Sequence, residues 1–191
     1  PSYPVALDLK DGALFVAVSD ASGGRAEGLF RSTDSGSTFQ NVGGPIPAVR
    51  FHSVVATGEA VYAGTGSGVF RSTDTGTTWT SYNDGLHFAD TRAVAASGGT
   101  VYQGIYEGTN GVYRSTDGGE TWLPGSDVMN GQAVTSIAVS GSTVLAGTDV
   151  SISPRGIFRS TDSGATWAAS NSGLDLSPGG GIRALVLDGG T

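Results

Sequence analysis

Apolar positions along this chain come in short runs broken by glycine and polar pairs. Ser53-Val54-Val55-Ala56 runs to a break around Gly58, and Val61-Tyr62-Ala63-Gly64-Thr65 follows. The same pairing of runs recurs in Val5–Lys10 with Leu14–Val18, in Ala93–Ala96 with Val101–Ile105, and in Ser136–Val139 with Val144–Thr148. Small and β-branched residues dominate, and no apolar period of 3.6 residues lasts beyond a turn, so helices find little support. Short β-rich runs between tight turn signals predict antiparallel strands joined as hairpins.

The runs are punctuated by one phrase that occurs four times. It reads Gly28-Leu29-Phe30-Arg31-Ser32-Thr33-Asp34-Ser35-Gly36-Ser37-Thr38-Phe39, and returns from Gly68 to Trp79, from Gly111 to Trp122 and from Gly156 to Trp167. Its aspartates, Asp34, Asp74, Asp117 and Asp162, are spaced by 40, 43 and 45 residues. Within the phrase Val69–Ser72 predicts a third strand, Gly76 a turn, and Thr77-Thr78-Trp79 the opening of a fourth. Four strands in each repeat of ~40 residues make one propeller blade. The expected fold is therefore all-β: a β-propeller of four-stranded antiparallel blades over about 4–42, 50–82, 91–125 and 133–170, with the first strand of a fifth over 181–191.

Composition narrows the partners. Of 191 residues 32 are glycine, more than twice the usual ~7%, as many turns require. The net charge is −7, with Lys10 the single lysine, so phosphate backbones and anionic membrane would be repelled and neither is expected as a partner. Cysteine is absent, which excludes disulfides and thiolate metal sites. Two histidines, His52 and His87, without an H-E-x-x-H pattern exclude a zincin, and no nucleophile elbow, P-loop or EF-hand loop appears. Gly64-Thr65-Gly66-Ser67-Gly68 precedes a strand rather than a helix, against a nucleotide cradle. No cofactor and no metal are expected.

The repeated Ser-x-Asp-x-Gly-x-Thr-Trp resembles the Asp-box, or bacterial neuraminidase repeat, family over nearly the whole chain. The resemblance implies a hairpin between the third and fourth strands of each blade. An aspartate that opens a tight turn can accept hydrogen bonds from the N–H groups that follow, and Gly36, Gly76, Gly119 and Gly164 supply the permissive backbone. Trp79, Trp122 and Trp167, with Phe39 in the first copy, are then available to fill the space between blades. Residues repeated in every blade lie around a ring and cannot converge on one ligand, so Asp34, Asp74, Asp117 and Asp162 are read as fasteners. Arg31, Arg71, Arg114 and Arg159, repeated in the third strands, are expected to be exposed or paired locally. The family implies secretion or a cell-surface location and includes sialidases, xyloglucan-type glycoside hydrolases, sortilin-like receptors and photosystem assembly factors. Sialidases add an Arg-Ile-Pro signature, which is missing here.

Binding residues are sought on the face away from the repeated turns. Loops from second to third strand vary there: two residues separate Thr65 from Gly68, five Ile105 from Gly111, seven Thr148 from Gly156 and nine Val18 from Gly28. Variable loops on a rigid scaffold are where ligands usually bind. Aligning the innermost strands places Val5, His52, Arg92, Thr135 and Arg183 at the mouth of the central channel. There His52, Arg92 and Arg183 either bind a carboxylate or sugar, or solvate the rim. Tyr82, His87, Phe88 and Tyr106, with Asp84, Asp90, Glu107 and Asp149, either form a carbohydrate surface or are scattered rim residues. Three functions stay open: a non-catalytic propeller that binds a glycan or protein, part of a glycoside hydrolase whose paired carboxylates the fold would bring together, and a purely structural module inside a large secreted or surface protein.

The same innermost strand opens the first blade and closes the chain, so a slice of a propeller of about six to eight blades is expected. Further sequence or another chain would complete the ring.

Overall fold

The computed structural model describes residues 2–20, 28–44, 46, 50–86, 90–106, 111–129, 131–149, 156–176 and 181–187. Four antiparallel sheets succeed one another, each wound in chain order. The first holds β1 (Ser2–Lys10), β2 (Ala13–Asp20), β3 (Gly28–Ser32) and β4 (Gln40–Asn41). The second holds β5 (Phe51–Ala56), β6 (Val61–Thr65), β7 (Gly68–Ser72) and β8 (Thr80–Ser81). The third holds β9 (Thr91–Ser97), β10 (Thr100–Ile105), β11 (Val112–Ser115) and β12 (Leu123–Pro124). The fourth holds β13 (Val134–Ser140), β14 (Thr143–Thr148), β15 (Ile157–Ser160) and β16 (Ala168–Ala169). First strands pack on first strands, β1 on β5, β5 on β9 and β9 on β13, so the sheets stand as propeller blades around one axis.

The core lies between blades. Along β6, Val61 and Ala63 turn to one side and join Phe15, Ala17 and Leu29 of the first blade, while Tyr62 turns to the other and joins Val94, Val101 and Trp122 of the third. The period of two sends alternate side chains into different cores, and every residue of β6 is buried. Val101 and Tyr102 divide in the same way between the second and third cores. Close approach requires Gly64, because a Cβ there would lie 2.3 Å from Ser53 Oγ and 2.8 Å from Thr91 Cγ2 of the next blade.

The repeated turn joins third and fourth strands with the same hydrogen bonds four times. In the second blade the Ser72 hydroxyl donates to Asp74 Oδ1 at 2.8 Å and accepts the Gly76 N–H at 2.8 Å. Asp74 accepts the Thr78 N–H at 2.8 Å and the Thr78 hydroxyl at 2.6 Å. Thr75 and Gly76 both take positive φ, 57° and 92°, which explains the glycine at the second of these positions. Asp34, Asp117 and Asp162 hold equivalent turns through Ser32, Ser115 and Ser160 and through Thr38, Thr121 and Thr166. The second, third and fourth turns are also gripped by the preceding blade: Arg31 donates to Thr75 O, Tyr62 to Gly118 O and Tyr102 to Ser163 O. Arg71 is likewise held locally, over the rings of Tyr62 and Tyr82.

The aromatic after each turn wedges against the preceding blade. Trp122 donates its indole N–H to Tyr82 O and is 3% exposed; Trp79 donates to Val42 O; Trp167 is 6% exposed. Phe39, on the leading face of the first blade, is 47% exposed, and beside it Leu7 and Leu9 are 66% and 63% exposed. Residues 181–187, expected to open a fifth blade, form no strand, because a strand needs a ladder and none of the described residues supplies an antiparallel partner. Ile182 nevertheless seats on the fourth blade. Its N–H donates to Thr148 O, and its side chain fills the space over Gly147 that Thr91 fills over Gly64. Residues 188–191 lie outside the described residues.

Two outcomes follow from this packing. Trp122→Ala is expected to destabilise the chain by about 3–5 kcal/mol and Phe39→Ala by less than about 0.5 kcal/mol in urea unfolding, the first emptying a packed wedge and the second an exposed site. The carboxyls of Asp34, Asp74 and Asp162 are held at about 2, chiefly by the threonine hydroxyls, and Asp117 at about 2, chiefly by the Ser115 hydroxyl. Unfolded aspartate titrates near ~3.9, so these bonds stabilise fully above about pH 4 and are lost as the pH falls toward about 2. The melting temperature should fall through that window, and Asp74→Ala should lower it by about 2–4 °C at neutral pH while flattening the acid limb.

Candidate functional site

Every first strand carries one register shift against its second strand, near the end where it enters the blade. In β5, Phe51 pairs with Thr65 and Ser53 with Gly64, which leaves His52 as the extra residue. In β9 the extra residue is Arg92, in β13 it is Thr135, and in β1 it is Val5. Such a bulge breaks the alternation of the strand and re-aims the side chain it carries. Here the four bulged residues turn toward one place, the channel mouth, on the face opposite the repeated turns.

They line a cavity of about 330 Å³ together with Arg183 from the segment seated on the fourth blade. The structure thus brings together the predicted His52, Arg92 and Arg183, and adds Arg50, Tyr3 and Ser19. Arg50 and Tyr3 stand two residues before the bulged His52 and Val5, as Asp90 stands two before Arg92. A period of two counted back from each predicted mouth residue would have found all three.

The charges have a definite order. Asp90 Oδ1 lies 3.1 Å from His52 Nε2 of the second blade, and Arg92 donates to both oxygens of the same carboxylate at 3.2 Å. Half-burial pushes the Asp90 carboxyl up, but the hydrogen bonds and charges of His52 and Arg92 outweigh it and leave it below its ordinary value. The Arg92 guanidinium lies over the Tyr106 ring, 4.3 Å from its centre, so its plane is fixed from two sides. Arg50 and Arg183 are exposed and have no ion-pair partner among the described residues. No carboxylate is among the described residues lining the cavity.

Other predicted residues lie elsewhere. Tyr82 belongs to the outer side of the second blade, where its ring lies 5.4 Å from the Arg71 guanidinium and its carbonyl accepts the Trp122 indole. The structure does not bring it to the mouth, because the short fourth strand it follows is the outermost of its sheet. Glu107, His87 and Phe88 lie outside the described residues. Among the described residues no group of three His, Asp or Glu has metal-binding geometry.

The family described as the DUF6242 beta propeller domain matches residues 7–133. Among solved structures, a GH74 enzyme from Niastella koreensis is 26% identical with a TM-score of 0.64, over 86% of this chain and 29% of that one. The GH74 xyloglucanase from Xanthomonas campestris is 20% identical with a TM-score of 0.60, over 85% of this chain and 29% of its own. The extracellular domain of BT4673 from B. thetaiotaomicron is 18% identical with a TM-score of 0.62, over 87% and 21%. The matched region is thus less than a third of each of these chains. No curated protein matches the sequence.

Removing the charge that holds the mouth together has a predictable effect. Asp90→Asn should cost about 1 kcal/mol in urea unfolding near neutral pH, a charged hydrogen-bond contribution reduced by partial exposure. Because the Asp90 carboxyl is lowered, the difference from the parent should be full above about pH 4 and shrink as the pH falls below it.

Proposed function

The chain belongs to the DUF6242 beta propeller family, and we propose that it is a non-catalytic binding scaffold whose channel-mouth face takes a glycan or protein ligand. The observation that carries this reading is the mouth cavity. It is walled by three arginines and a histidine, and its nearby carboxylate, Asp90, is already committed to His52 and Arg92. Glycoside hydrolysis needs two carboxyl groups, about 5–9.5 Å apart, one of them free to give up a proton. Asp90 is held ionised and engaged, which suits a support for neighbouring cations better than a general acid.

In this reading the repeated turns are Asp boxes that serve as fasteners, since each aspartate spends its oxygens on its own turn. The open leading face at Leu7, Leu9 and Phe39 is the seat of another blade, because every equivalent face within the chain is covered by one. An extracellular setting accords with the BT4673 domain, itself extracellular. A second reading, part of a GH74-like hydrolase, draws on the Niastella koreensis enzyme.

Incubation of the chain with xyloglucan and with a panel of acidic and neutral glycans separates the two. The scaffold reading expects retention of a ligand that Arg92→Ala weakens by about tenfold, with no reducing ends released. Release of reducing ends that an Asp→Asn variant abolishes would establish the hydrolase instead.

A further inference from the structure

The hairpins joining first and second strands turn at the same end of the blades as the repeated turns, and in the fourth blade the Ser163 N–H donates to Ser142 O across the two. Between the first and second blades, the groove separating successive hairpins is crossed by Lys10. Its Nζ donates to Thr57 O at 2.7 Å and to Gly58 O at 2.9 Å, so two carbonyls of the second hairpin take up a primary ammonium. By ladder position Lys10 pairs with Ala13, Ala56 with Val61 just before Thr57, and Ser97 with Thr100. Thr57 therefore stands in the second blade where Lys10 stands in the first. Ser97 and Gly98 stand in the third where Thr57 and Gly58 stand in the second.

That exchange of residues changes the groove. Thr57 turns its hydroxyl back on its own hairpin, donating to Ala60 O at 3.1 Å and accepting the Ala60 N–H at 3.1 Å. The space crossed by the lysine stem in the first groove is, in the second, a cavity of about 200 Å³. Thr57, Glu59 and Tyr62 line one side of it, and Ala96, Gly98 and Val101 the other. Lys10 is the single lysine of the chain, and no basic residue is among the described residues lining this cavity. Glu59 is exposed, and its carboxylate has no ion-pair partner among the described residues.

From this arrangement we infer that the groove between the first hairpins of the second and third blades receives a lysine side chain presented by another protein. The methylene stem lies against Tyr62 and Val101, and the ammonium reaches Ser97 O and Gly98 O with the Glu59 carboxylate beside it. A cavity of about 200 Å³ is below the ~300–1,000 Å³ usual for ring-bearing ligands and suits one unbranched chain. A Cβ on Gly98 or Gly99 would meet nothing within 4 Å, so the rim leaves room for the backbone that carries the stem. The net charge of −7 favours a cation over an anion. This site lies at the end of the blades opposite the channel mouth, and does not depend on what the mouth binds.

The test is an NMR titration of the isotopically labelled chain with Nα-acetyl-lysine methylamide, its Nε-acetylated form, n-butylammonium and ammonium ion. The lysine amide is expected to shift the amide resonances of Gly58, Glu59, Gly98 and Gly99. It should bind at least as tightly as n-butylammonium and at least about tenfold more tightly than the acetylated form. Glu59→Gln, at an exposed position, should weaken it by about two- to fivefold without moving the melting temperature. Thr57→Lys should abolish it, the introduced stem crossing the second groove as Lys10 crosses the first. Lys10→Ala is the control: it should lower the melting temperature by about 2–4 °C and open a further n-butylammonium site at Thr57 and Gly58. Binding in that opened groove but not between the second and third blades would overturn the inference, as would equal binding of the acetylated form. Ammonium ion binding as tightly as n-butylammonium would mean an adventitious ion only and overturn it. Binding of n-butylammonium with exclusion of the lysine amide would overturn the protein partner, and no binding in either groove would overturn the whole.

Discussion

A blade of this protein has two apolar faces and no thickness of its own in which to bury them. Strand β6 shows the constraint most plainly: Val61 and Ala63 belong to one core and Tyr62 to another, so neither core exists until the neighbouring blade is in place. Everything else serves that stacking. Gly64 lets the next first strand approach, and the wedge aromatics Trp79, Trp122 and Trp167 fill what the sheets leave open. The repeated turns set the wedge at the right height, and Tyr62 and Tyr102 lock the third and fourth turns to the blades before them. Stability is therefore shared between neighbours, as in other repeat architectures, and a face without a neighbour remains open.

The stacking also explains where chemistry can sit. At the turn end every aspartate is used by its own Ser and Thr, so four identical polar groups remain four separate fasteners. At the opposite end a bulge in each first strand releases one side chain from the alternation and aims it at the common axis. The released residues differ from blade to blade: Val5, His52, Arg92 and Thr135. A repeated backbone device thus presents a non-repeated set of side chains, and a quasi-symmetric frame acquires an asymmetric site. Asp90 then binds the second blade to the third through His52 while fixing Arg92, so the site is held by the same interface that holds the blades.

The blades were legible because they depend on local information read four times over. The Ser-x-Asp-x-Gly phrase encodes a turn whose hydrogen bonds span only four residues, and the spacing of its copies counts the sheets. The mouth residues His52, Arg92 and Arg183 were legible only by aligning copies. Arg50 and Asp90 are marked only by standing two residues before His52 and Arg92, a signal that exists once the copies have been aligned. Tyr82 reads by residue type as part of either a carbohydrate surface or a scattered rim; the structure sets its ring beside Arg71 and its carbonyl against the Trp122 indole, after the outermost strand of its sheet. The strand expected over 181–187 has the right pattern of residues but no ladder, which shows that alternation alone does not make a strand.

By itself, then, the sequence determined the strand type, the turn chemistry, the number of sheets and the face on which variation accumulates. These are properties of short segments, and turn hydrogen bonds, positive-φ glycines and period-two alternation act within a few residues. The tertiary structure alone decided which arginines share a cavity, which carboxylate is already spent, and which of four equivalent aromatics is left uncovered. Those outcomes depend on contacts between blades about forty residues apart, and on a bulge that moves a side chain from one face to another with no mark in the sequence.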